Sequence, residues 1–132
     1  MKRLSKEDIR NTTGILNPIG HVVVALKHDA VAEQAVDALR GAGFDTDDIL
    51  AFLASEAAPR LRERVRNASQ AAGFGYEITL MRRYLAYAEE GAGWLIVYAP
   101  DDAAVERVVE VCKRFGALCA VRYHRLASED LL

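Results

Sequence analysis

Charge of one sign, paired cysteines, proline and long apolar runs are all scarce in this sequence, and each shortage excludes something. Lys and Arg number 17 against 19 Asp and Glu, giving a net charge of −2 and a pI near 5.9. So balanced a chain is not expected to bind nucleic acid through bulk electrostatics. The two cysteines, Cys112 and Cys119, do not stand in a C-x-x-C pair. They read as reduced, buried residues in a chain long enough to build a core without covalent staples. The three histidines, His21, His28 and His124, lack metal-clamp spacing, and no aspartate run has the calcium-loop pattern. No metal and no cofactor are therefore expected. The longest apolar runs, "VVVAL" and "AGWLIVYA", are far too short to span a bilayer, and "MKRLSKEDIR" has no apolar signal core. The expectation is a cytoplasmic globular protein with no membrane partner.

What is present is a repeat. A shift of 73 residues lays "GHVVVALKHDAVAEQAVDALRGAG" over "GWLIVYAPDDAAVERVVEVCKRFG". Gly20 meets Gly93, Asp29 meets Asp102, Glu33 meets Glu106, Arg40 meets Lys113 and Gly43 meets Gly116. Each copy reads as an apolar strand, an aspartate at a helix start, a stripe of period 3.6 and a glycine suited to a left-handed helix stop. The stripes are Ala32, Ala35, Val36 and Leu39, then Val105, Val108, Val109 and Cys112. A second strand follows each helix, "DILAFLA" in the first copy and "ALCAVRYH" in the second.

Two βαβ units in tandem predict an α+β, ferredoxin-like split βαβ sandwich with a four-stranded antiparallel sheet. Right-handed crossovers put the first strand of each copy in the middle of that sheet. Residues 1–19 read as a flexible or partner-docked arm and 20–132 as a single domain. Within it, 20–54 and 92–125 are the two βαβ halves, 55–91 is an inserted helical hairpin and 126–132 is a tail. The first insert helix is expected to start near Pro59, which suits a first helical turn, and to carry Leu61, Val65, Ala68 and Ala72. "GFG" ends it. The second presents Tyr76, Leu80, Met81, Tyr84, Leu85 and Ala88 on one face. All the strands are apolar on both alternations, where a sheet with one wet face should alternate apolar and polar residues. A second layer must therefore cover the other face; the chain's own arm or insert helices could supply it, but a second copy of the chain is the expected cover, making the protein a homodimer or larger.

The insert is also where the charge gathers. Six arginines face three glutamates between residues 55 and 84, so this stretch is +3 and the rest −5. Guanidinium binds phosphate or carboxylate bidentately, which makes Arg60, Arg64, Arg82 and Arg83, with Tyr84 and Tyr87, the candidate ligand-binding set. The bland reading is a solvated helix face bearing an aromatic core stripe. No histidine has a visible carboxylate or nucleophile partner, and no catalytic residue is assigned.

The stretches "GHVVVALKHDAVAEQAVDALRGAGFD", "GWLIVYAPDD" and "GALCAVRYHRLASEDLL" resemble small bacterial heat-induced, general stress protein (YflT-like) domains. That resemblance covers roughly residues 20–132 and implies neither catalytic residues nor a cofactor. The arginine- and aromatic-rich insert departs from the usual form. Two functions follow as expectations. One is a non-catalytic, self-associating interaction or stress-related domain. The other is a small anionic-ligand sensor, or a ferredoxin-like enzyme, with its pocket between sheet and insert.

Overall fold

Both copies of the repeat form strand, helix and strand in the computed structural model, which describes residues 2–10, 17–69, 75–124 and 128–132. The first copy supplies β1 (His21–Leu26), α2 (Asp29–Gly41) and β2 (Ile49–Phe52); a short N-terminal helix, α1 (Lys6–Arg10), precedes it. The hairpin α3 (Ala54–Ser69) and α4 (Gly75–Glu89) follows, then β3 (Gly93–Tyr98), α5 (Asp102–Arg114), β4 (Cys119–Tyr123) and β5 (Ser128–Asp130). The sheet is antiparallel in the order β2-β3-β1-β4-β5. It has five strands where four are expected. The tail adds the extra edge, pairing Arg122 with Glu129 and Tyr123 with Ser128. Three polar residues carry no apolar alternation, so nothing in "SED" announces a strand.

The two repeated strands lie side by side. Their register pairs Val22 with Val97 and Val24 with Leu95 on one face, and Val23 with Ile96 and Ala25 with Trp94 on the other. The first face packs under Ala32, Ala35 and Leu39 of α2 and Val105, Val108 and Cys112 of α5. Gly93 permits that approach: a Cβ there would stand 2.9 Å from the Ala32 methyl and 3.0 Å from the Asp29 Cα.

The second face is covered by the chain itself. Leu61 of α3, Leu80, Met81, Tyr84 and Ala88 of α4, and Ile9 of α1 bury Val23, Leu50, Phe52, Trp94 and Ile96. The apolar second face of the strands is thus satisfied within one chain, and the premise from which a covering second copy is expected does not hold. An ion pair between Arg62 midway along α3 and Glu89 at the end of α4, 3.6 Å, ties the two hairpin helices together. Residues 2–10 are likewise docked on their own domain, with Ile9 in its core. Met1 and residues 11–16 of the expected arm lie outside the described residues, as do residues 125–127. So do the side chains of Ala68, Ala72 and Tyr76.

Local signals were displaced more than they were lost. The side-chain cap on α5 is Asp101, whose Oδ1 accepts from the Ala104 N–H at 2.8 Å, while Asp102 instead takes Arg122 at 2.8 Å. In the first copy His28 occupies the cap position and Asp29 accepts from the Ala54 N–H at 2.9 Å, so it caps the start of α3. Helix α3 begins five residues before Pro59, because Glu56 reaches back to the Leu53 N–H at 2.9 Å, the return half of a capping box. Proline inside the helix leaves the Ser55 carbonyl without a helical donor, and both residues are exposed, where water can replace it.

Candidate functional site

A cavity of about 40 Å³ lies between the second sheet face, α1 and the hairpin. Val23, Ile96, Trp94, Phe52, Leu61 and Ile9 make it apolar, and Arg60, Arg64 and Tyr84 supply its polar groups. The spacing of four residues along α3 sets Arg60 and Arg64 on one face, beside Leu61. That row looks onto the sheet because the helix lies with its apolar stripe inward.

Arg64 is the unusual member. Its side chain is 6% exposed, yet no carboxylate stands within ion-pair distance of it among the described residues. Its Nη2 donates to the Ile9 carbonyl at 3.0 Å, and its Nε is buried without an acceptor among the described residues. Burial and the neighbouring Arg60 cation both push its pKa down from the ordinary value. Arg60 is less buried and donates from Nη1 to the Arg10 carbonyl at 3.0 Å. The carbonyls at the end of α1 thus hold both guanidiniums. Carbonyl oxygens carry only partial negative charge, so the buried Arg64 cation has no ion-pair partner among the described residues and feels the exposed Glu63 carboxylate only from a distance.

Trp94 repeats the pattern. Its indole Nε1 is buried with no acceptor among the described residues, and its ring meets the Tyr84 ring edge-on at 5.2 Å. Each such orphan donor costs about 1–3 kcal/mol relative to a bonded one. The Tyr84 and Tyr123 hydroxyls share a hydrogen bond of 2.8 Å. Burial, chiefly, drives the Tyr84 pKa well above its usual value, so this hydroxyl stays protonated.

The six candidate residues therefore separate. Arg60, Arg64 and Tyr84 converge on the cavity. Arg82 is exposed on α4, and Tyr87 is half-buried against the same core without lining the cavity. Arg83 donates to Asp130 at 2.8 Å, a bond that raises its pKa and ties α4 to the edge strand β5. Sequence reasoning missed Ile9, which lay in a stretch without sustained periodicity, and treated Trp94 as core alone. Nothing in the local pattern marks an indole N–H as unpaired; that requires the tertiary surroundings.

The other chemistry-bearing groups stand apart. Cys112 and Cys119 are free and buried, their thiols pushed up to about 12 and about 11 by desolvation. His124 contacts Glu129 at 3.0 Å on the surface. No cluster of histidine, cysteine or carboxylates able to hold a metal ion occurs among the described residues, and no helix among them is long and apolar enough to cross a membrane. No family model, characterised protein or solved structure matches the chain.

Proposed function

We propose that this protein is a non-catalytic binding module of ferredoxin-like topology that takes a small anion at Arg64, between the sheet and the helical hairpin. The topology reading rests on the order β2-β3-β1-β4 with α2 and α5 on one face, to which β5 and the hairpin are additions. The functional reading rests on one observation: a buried guanidinium without a carboxylate, whose Nε is left unbonded at a cavity wall. A buried cation is retained where something of opposite charge completes it. The polar groups here are all donors or neutral: two guanidiniums, an indole N–H and a protonated phenol. Such a set binds an anion but holds no base to move a proton, which favours binding over catalysis. The resemblance to heat-induced, general stress protein domains brings no catalytic residues that would argue otherwise.

Trp94 is the chain's single tryptophan and lies in the cavity wall, so its emission reports occupancy. Titration with acetate and with inorganic phosphate should give a saturable change with at least one of them. In Arg64→Met that change should vanish while the melting temperature holds or rises, since an apolar isostere replaces an uncompensated charge. An unresponsive wild-type emission across both anions and the larger acid described below would sink the reading.

A further inference from the structure

The N-terminal helix occupies the site in the manner of a ligand. Ile9 places an apolar, branched side chain in the cavity wall, and its own carbonyl oxygen receives the Arg64 Nη2 at 3.0 Å. One residue on, the Arg10 carbonyl receives Arg60. A branched side chain one carbon removed from a carbonyl whose oxygen accepts from guanidinium is the outline of a short branched carboxylic acid. We propose that the ligand is an apolar monocarboxylate and that it binds by displacing α1, so that occupancy of the site is coupled to release of the N-terminal segment. This rests on the anion-binding reading above and adds the ligand class and its consequence.

Charge and size both favour the exchange. A carboxylate offers a full negative charge and two acceptor oxygens where the Ile9 carbonyl offers one neutral acceptor, and can bond both Nη2 and the unbonded Nε. The existing cavity, about 40 Å³, is far smaller than the roughly 150 Å³ of an engineered apolar cavity that holds benzene. A ligand with an apolar tail needs the space that Ile9 fills. Phosphate, with no tail, gains nothing from the walls formed by Phe52, Trp94 and Ile96.

The helix is also built to leave. Five residues are far below the length at which a helix holds itself, so α1 exists by docking. Besides Ile9 and the two arginine contacts, its moorings are few. Leu4 N–H donates to His21 Nε2 at 3.2 Å, Arg3 and Arg10 pair with Asp48 and Glu56 at 3.1 and 3.4 Å, and Lys6 lies 4.9 Å over the Phe52 ring. Surface pairs of that kind hold weakly.

The test uses the full chain with isovalerate, its neutral isostere isovaleramide, and inorganic phosphate. Trp94 emission reads binding, and amide hydrogen exchange at Leu4 and Ile9 reads the helix. Isovalerate should saturate the emission change and speed exchange at both amides by about tenfold or more, because their hydrogen bonds open with the helix. Isovaleramide should do neither. Ile9→Ala, which weakens the resident occupant, should bind isovalerate about tenfold more tightly, since less of the protein is closed. Saturable binding with unchanged exchange overturns the displacement and leaves the anion site standing. Phosphate binding as tight as isovalerate overturns the ligand class alone, and weaker binding in Ile9→Ala overturns the competition. No emission change with any of the three compounds, or with acetate, overturns both this proposal and the reading on which it rests.

Discussion

His21 shows how much one side chain can govern. It is buried at the start of β1, accepts the Leu4 N–H on Nε2 and donates from Nδ1 to the Ile19 carbonyl at 3.0 Å. A ring that accepts on Nε2 must be neutral, and desolvation lowers its pKa below the usual 6.5, opposed by the carbonyls of Ile19 and Pro18 and the Asp48 carboxylate. The Tyr98 ring lies 5.2 Å away in a tilted aromatic contact. With the folded pKa depressed, the unfolded chain binds the extra proton first. The His21 contribution is therefore intact above about pH 6.5 and lost as pH falls through the folded value. Urea midpoints should drop between pH 7 and pH 5, and His21→Gln should flatten that drop; equal slopes in the two proteins would refute the assignment. Val97, fully inaccessible between the strands and α2 and α5, calls for a simpler measurement. Val97→Ala should cost about 1–3 kcal/mol in a denaturant melt through lost burial and a new cavity. The thiols make a third residue-scale case. With their pKa values raised, Cys112 and Cys119 should label slowly until the protein unfolds, and fast labelling of the folded chain would show that the core opens readily.

Among the elements, the contact of α2 with β3 is the tightest constraint on the fold. Gly93 opens the second repeated strand where a methyl would meet the backbone at the start of α2, 3.1 Å from the His28 carbonyl oxygen as well as against Asp29. Those neighbours cannot rotate away. Gly93→Ala should destabilise by about 1–3 kcal/mol through overpacking, visible as a lower melting temperature, whereas Gly41→Ala, with open space around its Cβ, should not. Existence and type of the elements were legible wherever burial imposes a period, as in both repeat helices and in α4. Boundaries were less so. Pro59 suggested a start for α3 that Glu56 and Asp29 override by satisfying the first amides of an earlier turn.

At the scale of the molecule, the hairpin decides what the protein can be. By lying across the second sheet face it encloses an apolar layer that would otherwise demand another subunit. Few large apolar groups remain outside; Leu53 and Leu132, about half exposed, are the ones among the described residues. Light scattering should therefore find one species at 14.5 kDa at micromolar concentration. A stable dimer would require a different surface, and the outer edges of β2 and β5 are available for it.

Local pattern and repeat were enough to determine the first four strands, the two repeat helices and the central place of β1 and β3, because each depends on a periodicity written in consecutive residues. They also showed that both faces of the sheet must be covered. Which element does the covering was not decidable from the sequence, since apolar strand residues specify burial and not the identity of the partner. The candidate site divides the same way. Arginines four apart on α3 could be read as one face of a helix, but a solvated face and a buried one have the same spacing. Only the docking of the hairpin and of α1 buries Arg64, removes water from its Nε and from the Trp94 indole, and so turns a common surface pattern into an unneutralised charge inside the protein.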